Sequence, residues 1–146
     1  MIYISHRGNI DGRIPSRENH PSYIQDAIDF GYEVEIDAWM IEGALLLGHD
    51  EPQYGVSQHW LNQRFDKLWI HCKNTEALAW FNIIGGFKYF WHQEDDYTLV
   101  SNGLVWVYPG KELLENSICC LPERVYKGDI EKCYAICTDE IEKYII

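Results

Sequence analysis

The chain has 146 residues, 47% hydrophobic and 24% charged, a length and balance that favour one folded domain over 1–146 and exclude disordered, collagen-like and coiled-coil classes. Twelve Lys and Arg against 23 Asp and Glu leave a net charge of −11, which repels phosphate backbones and anionic lipid. No basic run offsets it, so neither nucleic acid nor a membrane surface is expected as a partner.

The first stretch, residues 1–9, is interrupted by His6 and Arg7, and no apolar run is long enough for a bilayer; a cytoplasmic protein without a signal peptide is expected. Residues 3–6 read as a short buried strand. From 20 to 30, Tyr23, Ile24, Ala27, Ile28 and Phe30 recur at helical spacing, with Asn19 as N-cap, Pro21 in the first turn and Gly31 as the stop. Residues 33–38 alternate acidic and apolar side chains, the period of a strand with one polar face. Glu42-Gly43 then turns the chain into a hairpin arm over 44–48.

A helix is predicted over 56–65, a strand over 68–72, and a helix over 75–84 capped by Asn74 or Thr75 and stopped by Gly85-Gly86. Strands at 88–91, 97–100 and 104–108 follow, too close together for helices between them. The remainder predicts a short helix at 111–114, a strand at 118–121, a helical turn at 129–132, a strand at 134–137 and a final helix at 139–145. The five cysteines are an odd number, with Cys119 and Cys120 adjacent, which suits reduced thiols rather than a disulfide framework. Cys133 and Cys137 are expected to pack in the core rather than to bind metal.

Alternating strands and helices over the first half argue for a parallel sheet with right-handed crossovers. The expected class is α/β: a compact TIM-barrel-like (β/α) barrel with several outer helices missing in the second half, since a full barrel takes about 250 residues. A bare barrel wall would expose apolar surface, so a homodimer covering it is expected.

Three polar groups end the first two strands and the hairpin arm: His6-Arg7, Glu35-x-Asp37 and Gly48-His49-Asp50. On a strand Glu35 and Asp37 share a face about 6–7 Å apart, close enough to share a hard cation. The bland alternative is a solvated strand face with surface salt bridges. A second cluster, His92-Gln93-Glu94-Asp95-Asp96, reads either as an acidic turn or as a rim that brings His92 and Glu94 to the site. Trp39, Trp91 and Trp106 are candidates for lining a pocket; strand aromatics are more often core, and Trp39, just past Asp37, is the best pocket candidate.

His6-Arg7-Gly8, Glu18-Asn19, the helix with Ala27 and Gly31, Glu35-x-Asp37 and Gly48-His49-Asp50, in this order and at these spacings, resemble the glycerophosphodiester phosphodiesterase family of phospholipase-C-like TIM barrels. The resemblance continues more weakly to Lys73, and Ile136-Cys137-Thr138-Asp139 resembles the family's last-strand ending. It implies His6 and His49 as an acid/base pair, Arg7 as a phosphate ligand, and Glu35 and Asp37 as ligands of a divalent metal. The family's third metal ligand, a glutamate two residues before a lysine, aligns with His71, and Lys73 is retained. The expected cofactor is a divalent ion, Mg²⁺ or Ca²⁺ first for an oxygen-rich site, with Mn²⁺ or Zn²⁺ as the alternative because His71 takes a carboxylate's place.

Cleaving a phosphodiester requires its charge to be neutralised, a proton taken from the attacking oxygen and one given to the departing oxygen. Metal, Arg7 and Lys73 suit the first need, and two histidines titrating near neutrality suit the others. The expected function is therefore metal-dependent hydrolysis of a small soluble glycerophosphodiester-like substrate, bound by Arg7, Lys73, Trp39 and His92. Two alternatives are a non-catalytic phosphate-binding module and a different hydrolase or lyase that uses His49, His71 and the two carboxylates around a transition metal.

Overall fold

The computed structural model describes residues 1–145. Strand and helix alternate through the first half: β1 (Ile2–His6), α1 (Pro21–Asp29), β2 (Glu33–Ile41), β3 (Ala44–Leu47), β4 (Tyr54–Val56), α2 (Gln58–Asn62), β5 (Leu68–Cys72), α3 (Thr75–Ile84) and β6 (Lys88–Trp91). Four short strands follow: β7 (Tyr97–Leu99), β8 (Val105–Val107), β9 (Ile118–Cys120) and β10 (Ala135–Thr138). Among the described residues no helix is long and apolar enough to cross a membrane.

The expected TIM-barrel-like (β/α) barrel does not form. All ten strands belong to one mixed sheet in the order β4-β3-β2-β1-β10-β9-β8-β7, with β5 joined to β2 and β6 to β5. Among the described residues only three short α-helices accompany it, all before β6. In the second half β7 and β8 pair as an antiparallel hairpin. Residues 111–114 are not helical, and 129–132 and 139–145 hold one 3-10 turn each, Ile130–Lys132 and Ile141–Lys143. Pro109, Gly110, Pro122 and Gly128 interrupt the connections where barrel helices would have to run.

Local chemistry explains the shifted boundaries of the first half. Val56 ends β4, and α2 starts only after Ser57, whose side chain accepts a hydrogen bond from the Trp60 amide. The N-cap of α1 is His20, with Nδ1 accepting from the Ser22 amide at 3.1 Å. Asn19 is left-handed instead, at φ 63°, and its side chain serves the site described below. Asn74 caps α3 as expected, accepting from the Ala77 amide.

The period-2 pattern separates two apolar layers. Val34, Ile36 and Ala38 of β2 and Leu68, Ile70 and Cys72 of β5 pack with Ile24 and Ala27 of α1 and with Ala77 and Phe81 of α3. The alternate positions turn to the other side, where Ile4, Trp69, Phe90, Trp106 and Ile118 make a second cluster. Glu35, Asp37 and His71 occupy the same alternating set as Trp69. The sheet curls about this second cluster until β6 meets the β7–β8 hairpin. Thr98 Oγ1 donates to the Trp91 carbonyl at 2.7 Å, and the Ser101 amide donates to the Tyr89 carbonyl at 2.8 Å.

Candidate functional site

β1, β2, β5, β9 and β10 run parallel, so their carboxyl ends lie together. Register sets the lateral neighbours: His6 is opposite Glu35, and Asp37 is opposite His71. His6 Nε2 lies 3.8 Å from Glu35 Oε2, while Nδ1 is 2.7 Å from Asp139 Oδ1, just past β10. Asp139 is itself held, accepting from Asn9 Nδ2 at 2.8 Å and giving its own amide proton to Glu123 at 2.9 Å.

Arg7 follows β1 in a left-handed conformation, φ 57°, with its amide donating to the Glu35 carbonyl. The turn needs a glycine next, because a Cβ on Gly8, at φ 96°, would come within 2.7 Å of the Tyr23 ring. The guanidinium is thereby aimed back at the site, with Nη1 donating to Glu18 Oε2 at 3.2 Å and Nε lying 3.1 Å from Asp37 Oδ2. Asn19 closes the group from behind. Its Nδ2 donates to Asp37 Oδ2 at 2.8 Å, and its Oδ1 accepts from the Asp37 amide at 2.9 Å.

Glu35 and Asp37 are almost wholly removed from solvent, at 3% and 0% exposure. Glu35 Oε2 and Asp37 Oδ1 accept no hydrogen bond, a costly state for buried carboxylate oxygens. Burial and the nearby Asp37 push the Glu35 carboxyl well above the usual range. Burial also works against ionised Asp37, but His71, Arg7 and Asn19 outweigh it and hold that carboxyl well below the usual range.

His71 completes the donor set. Its Nδ1 is 3.1 Å from Asp37 Oδ1 and 3.9 Å from Glu35 Oε1, and its Nε2 faces the His92 carbonyl at 3.1 Å. With a proton on Nε2, the Nδ1 lone pair points at two carboxylates, an arrangement that calls for a proton or a cation between them. One donor atom from each of Glu35, Asp37 and His71 lies within 4.8 Å of the others. Two hard oxygens and one imidazole nitrogen, converging with unsatisfied lone pairs, fit a divalent cation.

A cavity of about 600 Å³ opens above these groups, lined by His6, Arg7, Glu35, His49, His71 and Lys73, and walled in part by Trp39 and His92. Asp37 lies behind its lining. The nine residues given catalytic, binding or metal-ligating roles from sequence thus converge on one place. His49 stands on the turn after β3, with Nδ1 2.7 Å from Asp50 Oδ1; burial and Arg7 lower its pKa below that of an ordinary imidazole. Lys73 follows β5, its amide tied to the Ala38 carbonyl. Trp39 donates from Nε1 to the Gly48 carbonyl at 2.7 Å, and burial and His71 lower the pKa of His92.

The aromatic wall is wider than Trp39 alone, since Trp91 and Trp106 also line the cavity. Glu94 is exposed and lies outside the lining, in keeping with the acidic-turn reading. All five cysteines are unpaired, and burial raises the Cys72 and Cys119 thiols to about 12, which makes them packing groups. The supporting roles of Asn9, Asn19 and Glu123 and the position of Arg124 in the cavity wall are not readable from local sequence, because each depends on a partner distant along the chain.

No protein-family model, no curated protein and no solved structure with which the chain was compared matches it.

Proposed function

We propose that the chain is a metal-dependent phosphodiester hydrolase acting on a small soluble glycerophosphodiester-like substrate. The observation that carries this reading is the buried Glu35, Asp37 and His71 set, with its two orphaned carboxylate oxygens, beside His6, Arg7 and Lys73 in one cavity. These three side chains would hold a divalent cation, which when bound supplies Lewis-acid neutralisation of the phosphate charge. The imidazole in the set favours Mn²⁺ or Zn²⁺ over Ca²⁺.

Arg7, fixed between Glu18 and Asp37, and Lys73, with no ion pair among the described residues, provide the remaining positive charge for phosphate oxygens. Asp139 accepts the Nδ1 proton of His6 and leaves Nε2 as the base that takes a proton from the attacking oxygen. His49, which also lines the cavity, delivers a proton to the departing alcohol. Five unpaired thiols suit a reducing, cytoplasmic setting.

The test is an assay of the purified chain on bis(4-nitrophenyl) phosphate and on glycerophosphodiesters, with Mg²⁺, Ca²⁺, Mn²⁺ or Zn²⁺ and with chelator. Metal-dependent turnover is expected, lowered about 10²- to 10⁴-fold in His6→Ala and in His49→Ala. A folded, metal-loaded chain that binds phosphate esters without cleaving any of them would overturn hydrolysis in favour of a binding module.

A further inference from the structure

Beside the central cavity lies a second one of about 430 Å³, and the two share Arg7, His49, Asp50 and Arg124 in their walls. The second adds Arg13, Glu18, Asn19, Glu51 and Gln53, an almost entirely polar lining. Most of its charges are already matched. Arg7 and Arg13 both bind Glu18, and Asp50 faces His49; Glu51 is exposed at the rim.

Among the arginines of this lining Arg124, exposed at the cavity mouth, is the exception. It makes no ion pair among the described residues, in a chain with 23 acidic groups. Its neighbour Glu123 turns away to accept from Thr138 Oγ1 at 2.8 Å and from the Asp139 amide at 2.9 Å. The turn beneath Arg124 is fixed. Leu121 is left-handed at φ 50°, its amide donates to the Cys137 carbonyl at 2.7 Å, and the Arg124 amide donates to the Leu121 carbonyl at 3.0 Å. Arg124 follows β9 whereas Lys73 follows β5, with β2, β1 and β10 between them in the sheet. The two uncommitted cations therefore flank the site from opposite walls.

A guanidinium presents a planar fork of donors that matches phosphate or carboxylate oxygens and no neutral alcohol as well. We propose that the second cavity is a subsite for a further anionic group on the substrate's alcohol, a phosphate monoester or a carboxylate, with Arg124 as the specificity-determining ligand. This rests on the phosphodiesterase reading above. The substrate lies across the shared wall, its reacting phosphate beside His6 and His49 and its second anion beside Arg124.

Two measurements test it on the full chain. In the first, kcat/KM is compared for glycerophosphoglycerol, the same diester with a terminal phosphate, and the analogue with glycerate as the alcohol. Wild type should prefer at least one anionic diester about 10- to 100-fold, the range expected of a charge-assisted hydrogen bond. Arg124→Ala should lose the preference, and Arg124→Lys should keep part of it. A preference for either anion supports the subsite and names the group it takes. In the second, calorimetric titration compares 2,3-bisphosphoglycerate with glycerol 3-phosphate and needs no turnover. Wild type should bind the doubly phosphorylated ligand at least about tenfold more tightly, and Arg124→Ala should not. Equal discrimination by wild type and Arg124→Ala in the titration overturns the subsite. Retained discrimination in a chain that cleaves no diester overturns the hydrolase reading alone.

Discussion

His71 Nδ1 stands 3.1 Å from Asp37 Oδ1, an oxygen that is fully buried and accepts no hydrogen bond. Either Nδ1 carries a proton toward that oxygen or two lone pairs face each other and call for a cation, so their separation says more about the site than either residue does alone.

The first prediction follows from that contact. Wild type should melt higher in saturating Mn²⁺ or Zn²⁺, by about 2.7 kcal/mol of added stability at one hundred times Kd. Glu35→Gln, Asp37→Asn and His71→Ala should show no such gain. Without metal, Glu35→Gln should melt no lower than wild type, because burial and Asp37 already push that carboxyl toward its neutral form, which Gln resembles. His71→Glu should move the preference toward Mg²⁺ or Ca²⁺ in a competition titration. Equal metal-induced shifts in all these proteins would refute the site.

Asp139→Asn tests the positioning of His6. Asparagine keeps the shape but no longer accepts the Nδ1 proton as a carboxylate does, so kcat should fall by about two to four orders of magnitude with the fold intact. Burial alone would raise the Asp139 carboxyl; the bonds from His6 and Asn9 outweigh it and hold it below the usual range. A lowered folded-state pKa contributes stability above the unfolded carboxylate's pKa, near 3.9, and loses it as pH falls through the folded value. The advantage of wild type over Asp139→Asn in urea midpoint should therefore shrink between pH 6 and pH 3. An advantage constant across that range would refute the assignment.

Asn19→Ala removes two buried hydrogen bonds at once, one to the Asp37 side chain and one to its backbone, and leaves a left-handed alanine at φ 63°. A loss of about 2–4 kcal/mol is expected in urea unfolding, with weakened metal binding. A variant as stable as wild type would show that Asn19 does not brace Asp37.

How far the sequence foretold this arrangement varies by element. The alternation of β2 was plain because its polar face is the site itself, and β5 and β6 were bounded by clear polar residues. Asn19 read as a helix cap because asparagine suits an N-cap and a left-handed residue equally; only Asp37, eighteen positions on, separates the two roles. Asp139 and His6 are 133 residues apart, and no local pattern announces such a pair. The strands after α3 were readable, but the (β/α) rhythm extrapolated from the first half fails there. The segments at 111–114 and 139–145 span one turn and barely two, too few residues to sustain a helix.

Gly48 is the hinge of the His49 turn. A Cβ there would overlap the Glu51 carbonyl oxygen, and the Gly48 carbonyl also receives the Trp39 indole. Gly48→Ala should cost about 3 kcal/mol or more and should lower turnover by displacing His49, as read by urea unfolding and by the diester assay. A variant with wild-type stability and rate would show that the turn relaxes freely.

β2 is bordered by β5 along residues 34–38 and, on its opposite edge, by β1 at 33–35 and β3 at 38–41. Asp37 falls in the gap between β1 and β3, where the Asn19 side chain takes its amide and the Gly48 amide takes its carbonyl. The backbone under both carboxylates thus has no frayed side from which to open. Deuterium is expected to reach such amides through concerted unfolding of the sheet. Site and fold are therefore expected to open as one cooperative unit, and exchange at the Glu35 and Asp37 amides ahead of the rest of the sheet would show otherwise.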